Sequence, residues 1–224
     1  MNDPDLRLSI EQIASPRILV IGDLMLDHYS WGRVDRISPE APIPVMNVLR
    51  EDQRLGGAGN VVTNLSALGA EVIVCGVIGK DETGNTIQKL LMEKCINNSG
   101  LFIFENYKSC LKHRMIAGQN HLLRMDIDPD PEIQFPQEYI IKYIEKTIPT
   151  CDAVIVSDYG KGLLSSSTLQ AIAACGKKNN IPVIGDPKST KNYEIYNDFT
   201  LIKPNRREAE AAVGFKIKKK NDIL

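Results

Sequence analysis

Four short apolar runs in this chain end in residues able to hold hydroxyls, phosphates or a cation. RILVIGDLMLD delivers Asp23 and Asp27, DAVIVSDYGK delivers Asp158 and Lys161, IPVIGDPK delivers Asp186 and Lys188, and TLIKPNRRE delivers Asn205 and Glu208. Carboxylates accept protons from hydroxyls, ammonium groups pair with phosphate, and magnesium takes oxygen ligands, so the set suits a sugar, a phosphate and a magnesium ion. Each residue also has a plainer explanation. Asp and Asn favour the turns that follow strands, and Asn205 three residues before Glu208 is also a capping box. Recurrence at four run ends is what favours a site.

A second motif is LGGAGNVVTNLSALGA, from Leu55 to Ala70. It lacks the Lys-Ser/Thr ending of a Walker loop and does not complete GxGxxG, so neither a P-loop ATPase nor a dinucleotide fold is supported. Two readings stay open on spacing alone: a Gly-Gly turn that lets backbone approach a ligand closely, and a tight turn before a core helix. In the helix that follows, Asn60 and Asn64 share a face, and Val61, Leu65 and Leu68 are expected to pack inward.

The elements that must position these residues are legible as alternation. RILVIGD, EVIVCGVIG, DAVIVSDY, IPVIGDP and TLIKPN alternate with helical patterns starting near Ala58, Thr83, Ser165 and Arg206. Continuous Val/Ile runs between helices imply βαβ units, hence an α/β fold with a mostly parallel sheet covered by helices on both faces. In such a sheet ligands bind beyond the carboxyl ends of the strands, where the polar residues lie. Ser165 suits a helix N-cap and Gly214 a helix end. Two segments, about 30–55 and 101–128, break the rhythm and read as strands of a small β lid. Within the second, HLLRMDID places Leu123, Met125 and Ile127 on one face and Arg124 and Asp126 on the other, the pattern of a half-buried strand.

With 224 residues and a net charge of −1, the chain has the size of one domain and no electrostatic footprint for nucleic acid. KIKKKN near the end reads as a solvated tail. MNDPDLRLSIEQIASPR has no signal-peptide core and no later run has membrane length, so a cytoplasmic protein with no membrane partner is expected. Five scattered cysteines without CxxC spacing read as reduced, mostly buried thiols. His28, His113 and His121 show no helical metal spacing and read as structural or solvent-facing.

GGAGNVVTNLSALGA, GDLMLD and KPNRRE together resemble the PfkB/ribokinase family of sugar kinases, with its ribokinase-like fold. Further matches in DHYSWGRVDRISPEAPIPVM, LKHRMIAGQNHLLRMD, SDYGKG and GDPK are similar to its heptose 7-phosphate kinase branch and run from Arg17 to Gly214. The resemblance implies ATP- and magnesium-dependent phosphorylation of D-glycero-β-D-manno-heptose 7-phosphate at C1, for ADP-heptose and lipopolysaccharide core synthesis. It implies that Asp23 and Asp27 hold sugar hydroxyls, with Gly57 and Asn60 closing over the ring. Arg114, Arg124, Lys161 and Lys188 would bind the 7-phosphate, with Asp158 and Asp186 beside the substrate. Asn205, Arg206, Arg207 and Glu208 would serve the nucleotide, Glu208 ordering magnesium through water. A homodimer through the lid is implied as well. The family's second signature, a Gly-Ala-Gly-Asp segment that carries the catalytic base and anion hole, has no counterpart in the sequence. The expectation is therefore the amino-terminal part of a kinase domain over 1–224, binding sugar without turnover. A kinase of another sugar or nucleoside, and a non-catalytic binding or dimerisation module, are the alternatives.

Overall fold

The computed structural model describes residues 15–133, 135–188 and 192–218. Most of MNDPDLRLSIEQIASPR and the end of KIKKKN lie outside them. The main sheet joins β1 (Arg17–Gly22), β4 (Glu71–Gly79), β5 (Asn97–Phe104), β8 (Ala153–Ser157), β9 (Val183–Asp186) and β10 (Leu201–Ile202). Their order is β10-β9-β8-β1-β4-β5, and every pairing is parallel.

Alternation along β1 splits the core in two. Leu19 and Ile21 point to one face, where they meet Ile140 and Ile144 of α3 (Gln137–Thr147) and Leu169 and Ile172 of α4 (Ser166–Asn179). Ile18 and Val20 point to the other, against Ala58 and Val62 of α1 (Ala58–Ala67) and Ile87 and Leu91 of α2 (Glu82–Glu93). Each such fully buried aliphatic side chain contributes about 1.5–3 kcal/mol of transfer free energy. Ser165 caps α4 by accepting from the Thr168 N–H, and Gly214 ends α5 (Arg206–Val213) in the left-handed conformation, as their types predict. The helix α3 is missing from the sequence reading, although the i,i+4 pair Ile140/Ile144 is its signal.

The lid is a second sheet, ordered β3-β2-β6-β7, from β2 (Leu24–Ile37), β3 (Pro44–Gly57), β6 (Cys110–Ala117) and β7 (Asn120–Ile127). Three corrections follow. The lid spans 24–57 and 110–127 rather than 30–55 and 101–128, because Leu101–Phe104 pairs with β4 in the main sheet. Leu68 does not pack inward: it follows the last turn of α1 and is 83% exposed, while Val62 fills the core. The apolar face of β7 is open, with Leu123, Met125 and Ile127 all exposed, because β7 is an edge strand with nothing packed over it among the described residues. Cys75, Cys110 and Cys151 are buried, Cys175 is half-buried and Cys95 is exposed, all as free thiols.

Candidate functional site

Asp27 organises the lid side of the site through strand register. It lies opposite Arg54 on β3 and Lys112 on β6, and Tyr29, two residues on, lies opposite Arg114. Paired strands present directly opposite residues on one face, so Arg54, Lys112 and Arg114 share the face of Asp27, and Arg54 is held there by Asp52, opposite Tyr29, at 2.6 Å. Arg114 Nη1 donates to Asp27 Oδ1, and this bond favours the charged guanidinium against the opposing effect of partial burial. The Arg114 and Arg54 guanidinium groups also lie 5.2 and 5.5 Å from the Tyr29 ring, within cation–π range. Asp27, Tyr29, Arg54, Lys112 and Arg114 line a cavity of about 380 Å³ with Met25, Leu55, Gly56, Gly57, Asn60 and Tyr159.

The Gly-Gly turn is dictated by this crowding. Gly57 has φ of +58°, and a Cβ there would collide with the Asp23 carbonyl, which accepts from the Ala58 N–H at 2.9 Å. A Cβ on Gly56 would strike the Asp27 carboxylate. Both glycines thus let the backbone pass against two acidic residues of the site and place Asn60 on the first turn of α1. The turn and the core helix are both present, so the two readings of the motif are compatible.

Asp23 is 3% exposed. Its Oδ2 accepts from the backbone N–H groups of Tyr159 at 2.8 Å and Lys161 at 3.1 Å, while its buried Oδ1 has no partner. Burial pushes its pKa up to about 6, against the opposing pull of those two N–H groups. A carboxylate oxygen sealed from water without a donor suits a ligand hydroxyl.

Asp158, Asp186, Lys188, Asn205 and Glu208 converge in a second cavity of about 310 Å³ with Tyr159, Pro187 and Lys203. Tyr159 lines both cavities. Asp158 is buried, accepting from the Gly160 N–H at 2.8 Å and from the Tyr196 hydroxyl at 2.6 Å, with Lys188 Nζ 3.9 Å away. Burial first, and then this bond to Asp158, push the Tyr196 phenol far above its ordinary value and keep it a donor. Asp186 pairs with Lys203 at 3.0 Å. The capping box is real: Asn205 Oδ1 accepts from the Glu208 N–H at 3.0 Å, and Glu208 Oε2 accepts from the Asn205 N–H at 2.7 Å. One Glu208 oxygen caps the helix while the residue still lines the cavity, so capping and cation handling are not exclusive. Lysines beside carboxylates in one cavity fit nucleotide phosphates and a hydrated magnesium ion.

The structure separates the residues named from sequence into these two groups. Asp27, Gly57, Asn60 and Arg114 line the lid cavity, with Asp23 at the Tyr159–Lys161 loop. Asp158, Asp186 and Lys188 stand with Asn205 and Glu208 instead. Lys161 Nζ pairs with Asp128 at 2.7 Å and lines neither cavity. Arg124, 56% exposed, pairs with Asp126 at 2.9 Å, and Arg206 pairs with Glu210 at 3.2 Å; neither lines a cavity, nor does Arg207. Tyr29, Arg54, Lys112 and Tyr159 were not named from sequence. For Arg54 and Lys112 the signal is the cross-strand register to Asp27, which no local spacing carries, whereas Tyr29 lies two residues from Asp27 on the same strand and Tyr159 follows Asp158 after β8. A larger cavity of about 830 Å³ beside β10 joins Glu194 and Asp198 to aromatic residues but has no lysine or arginine in its lining, so it does not suit phosphate.

Comparison with known proteins bears on the family and the fold. Residues 15–224 match the model of the pfkB family carbohydrate kinases. The bifunctional protein HldE of Citrifermentans bemidjiense is 46% identical over 208 residues, covering 92% of this chain and 42% of that protein. HldE of Aliarcobacter butzleri is 44% identical over 210 residues, covering 93% and 44%. The chain thus spans less than half the length of these curated relatives. Ribokinase of Arabidopsis thaliana, solved with ribose and ATP, shares the fold with a TM-score of 0.69 at 16% identity, over 94% of this chain and 66% of that one.

Proposed function

The chain belongs to the pfkB carbohydrate kinase family, and on that premise we propose that it carries the sugar-binding part of an ATP-dependent kinase of D-glycero-β-D-manno-heptose 7-phosphate. The observation that carries this reading is the lid cavity, which Arg54, Lys112 and Arg114 line together with Asp27. A sugar without phosphate has no use for three cations beside its hydroxyl-binding carboxylate, whereas a sugar phosphate needs both. Asp23 and Asp27 take hydroxyls, Gly57 and Asn60 close over the ring, and Arg54, Lys112 and Arg114 take the 7-phosphate.

In the reaction, the C1 hydroxyl oxygen forms a bond to the γ-phosphorus of ATP, the bridging bond to the β-phosphate breaks, and ADP leaves with that electron pair. The hydroxyl proton passes to a base, and none of the residues assigned here holds that role. Lys188 and Lys203 would face the nucleotide phosphates, and Asn205 and Glu208 would hold hydrated magnesium, whose charge would offset that of the phosphates; positioning and charge stabilisation of this kind supply most of the catalysis in phosphoryl transfer. The product serves ADP-heptose and lipopolysaccharide core synthesis in the cytoplasm. No helix among the described residues is long and apolar enough to cross a membrane.

The open apolar face of Leu123, Met125 and Ile127 supports a homodimer through the lid. Sedimentation of Met125→Glu tests it: wild type runs as a dimer and the variant as a monomer, while two identical profiles overturn the interface. For the substrate, calorimetry compares the 7-phosphate sugar with its dephosphorylated form. Binding of the phosphate form at least about tenfold tighter, worth about 1.4 kcal/mol, is expected. Equal affinity would return the site to a kinase of an unphosphorylated sugar or nucleoside.

A further inference from the structure

The lid sheet has a second face, and there the register brings together four polar side chains that the sugar site does not use. His28 on β2 lies directly opposite His113 on β6, and Ser30 lies opposite Glu51 on β3. Alternation turns these residues away from Met25, Asp27 and Tyr29, which line the lid cavity. The two imidazole rings stack with centroids 4.1 Å apart and planes within 4°. Each Nε2 atom faces one of a bonded pair of groups: that of His113 is 2.7 Å from Ser30 Oγ, and that of His28 is 3.2 Å from Glu51 Oε1. Ser30 Oγ donates to the same Glu51 oxygen at 2.9 Å.

We propose that His28, His113 and Glu51, with Ser30 beside them, bind one divalent transition-metal ion of the zinc class. Three observations carry the assignment. One ligand atom from each of the three residues lies within 4.8 Å of the others. Donors about 2.1 Å from a tetrahedral ion stand about 3.4 Å apart, so closure needs the two stacked rings to rotate out of parallel until both lone pairs meet one ion, and a shift of the Glu51 side chain, which is 56% exposed. Secondly, His28 Nε2 is sealed from solvent and makes no hydrogen bond, although Glu51 Oε1 lies 3.2 Å away. A buried nitrogen lone pair without a partner is the group a metal satisfies. Thirdly, two imidazoles and one carboxylate form a ligand set that suits zinc, cobalt or nickel over magnesium or calcium, with the remaining position left to Ser30 or water. Residues from β2, β3 and β6 would then be tied across three strands of the lid, on the face away from the substrate.

Cobalt titration of the chelator-stripped protein tests the proposal. The expected result is saturable uptake of one equivalent, a visible d–d band without the charge-transfer band of a thiolate ligand, and displacement by zinc. His28→Asn and His113→Asn should each weaken binding by at least about tenfold. Glu51→Gln, at an exposed position where folding is safe, should weaken it as well and decides the matter if a histidine variant does not fold. Cys95→Ser should change nothing. No saturable uptake, a thiolate band lost in Cys95→Ser, or unchanged affinity in Glu51→Gln and the histidine variants would overturn the site.

Discussion

Arg114→Ala discriminates most sharply between a phosphate-binding lid and a merely structural one. Arg114 donates to Asp27, and the two side chains are 20% and 23% exposed, so their ion pair is partly screened by water. Its loss should cost about 1 kcal/mol or less of folding stability. A charge-assisted contact to a bound phosphate is worth more, about 1.5–3 kcal/mol, or a tenfold to 150-fold loss of affinity for the 7-phosphate sugar. The dephosphorylated sugar loses no such contact and gains an unencumbered Asp27, so its affinity should move less than about threefold. Arg124→Ala supplies the control, since that side chain is exposed, pairs with Asp126 and lies outside the cavity. It should leave both affinities within about threefold. Calorimetry of both ligands against both variants and the wild type measures each value. Equal weakening of the two ligands by Arg114→Ala would assign Arg114 to lid structure, and a selective loss in Arg124→Ala alone would move the phosphate to the outer lid.

Gly57→Ala forces a side chain into a positive-φ position against the Asp23 carbonyl and should destabilise the fold by about 2 kcal/mol or more. At Gly69, where φ is +91° and no atom lies within 4 Å of a Cβ, the same change should cost only about 1 kcal/mol; equal denaturation midpoints would refute the collision. Asp23 binds its proton more tightly folded, at about 6, than its ordinary 3.8. Its stabilising contribution is complete below the lower value and lost as pH rises through the higher one. Melting curves of wild type and Asp23→Asn between about pH 4 and pH 7 should therefore diverge, the wild type losing ground as pH rises; a gap independent of pH would show that the carboxyl is not shifted. Glu208→Gln keeps the capping box, because glutamine also serves there, so stability should stay within about 0.5 kcal/mol. Magnesium-dependent nucleotide binding should weaken all the same, and an unchanged magnesium response would leave the cap as the whole role of Glu208.

The strand ends were legible because their signals are local. An apolar run followed by Asp, Asn or Lys marks both a strand and its polar exit, and parallel topology brings those exits to one edge. Asp158, Asp186, Lys188, Asn205 and Glu208 meet on that basis. The capping box at Asn205 was legible for the same reason. Local spacing failed where a neighbour decides the outcome. Alternation along β7 was visible, yet whether Leu123, Met125 and Ile127 are covered depends on what packs over an edge strand. Leu68 sits at a helical position suited to the core, yet α1 ends before it.

Sequence by itself determined the alternation of strands and helices, the parallel sheet and the polar residues at its carboxyl edge, because hydrophobic periodicity and turn chemistry act between residues a few positions apart. Tertiary structure alone decided which residues share a cavity. Asp27 acquires Arg54 and Lys112 from strands 27 and 85 residues further along the chain, and His28 meets His113 across the same sheet. Pairing register sets those meetings, and a shift of one residue would turn each of these side chains to the opposite face.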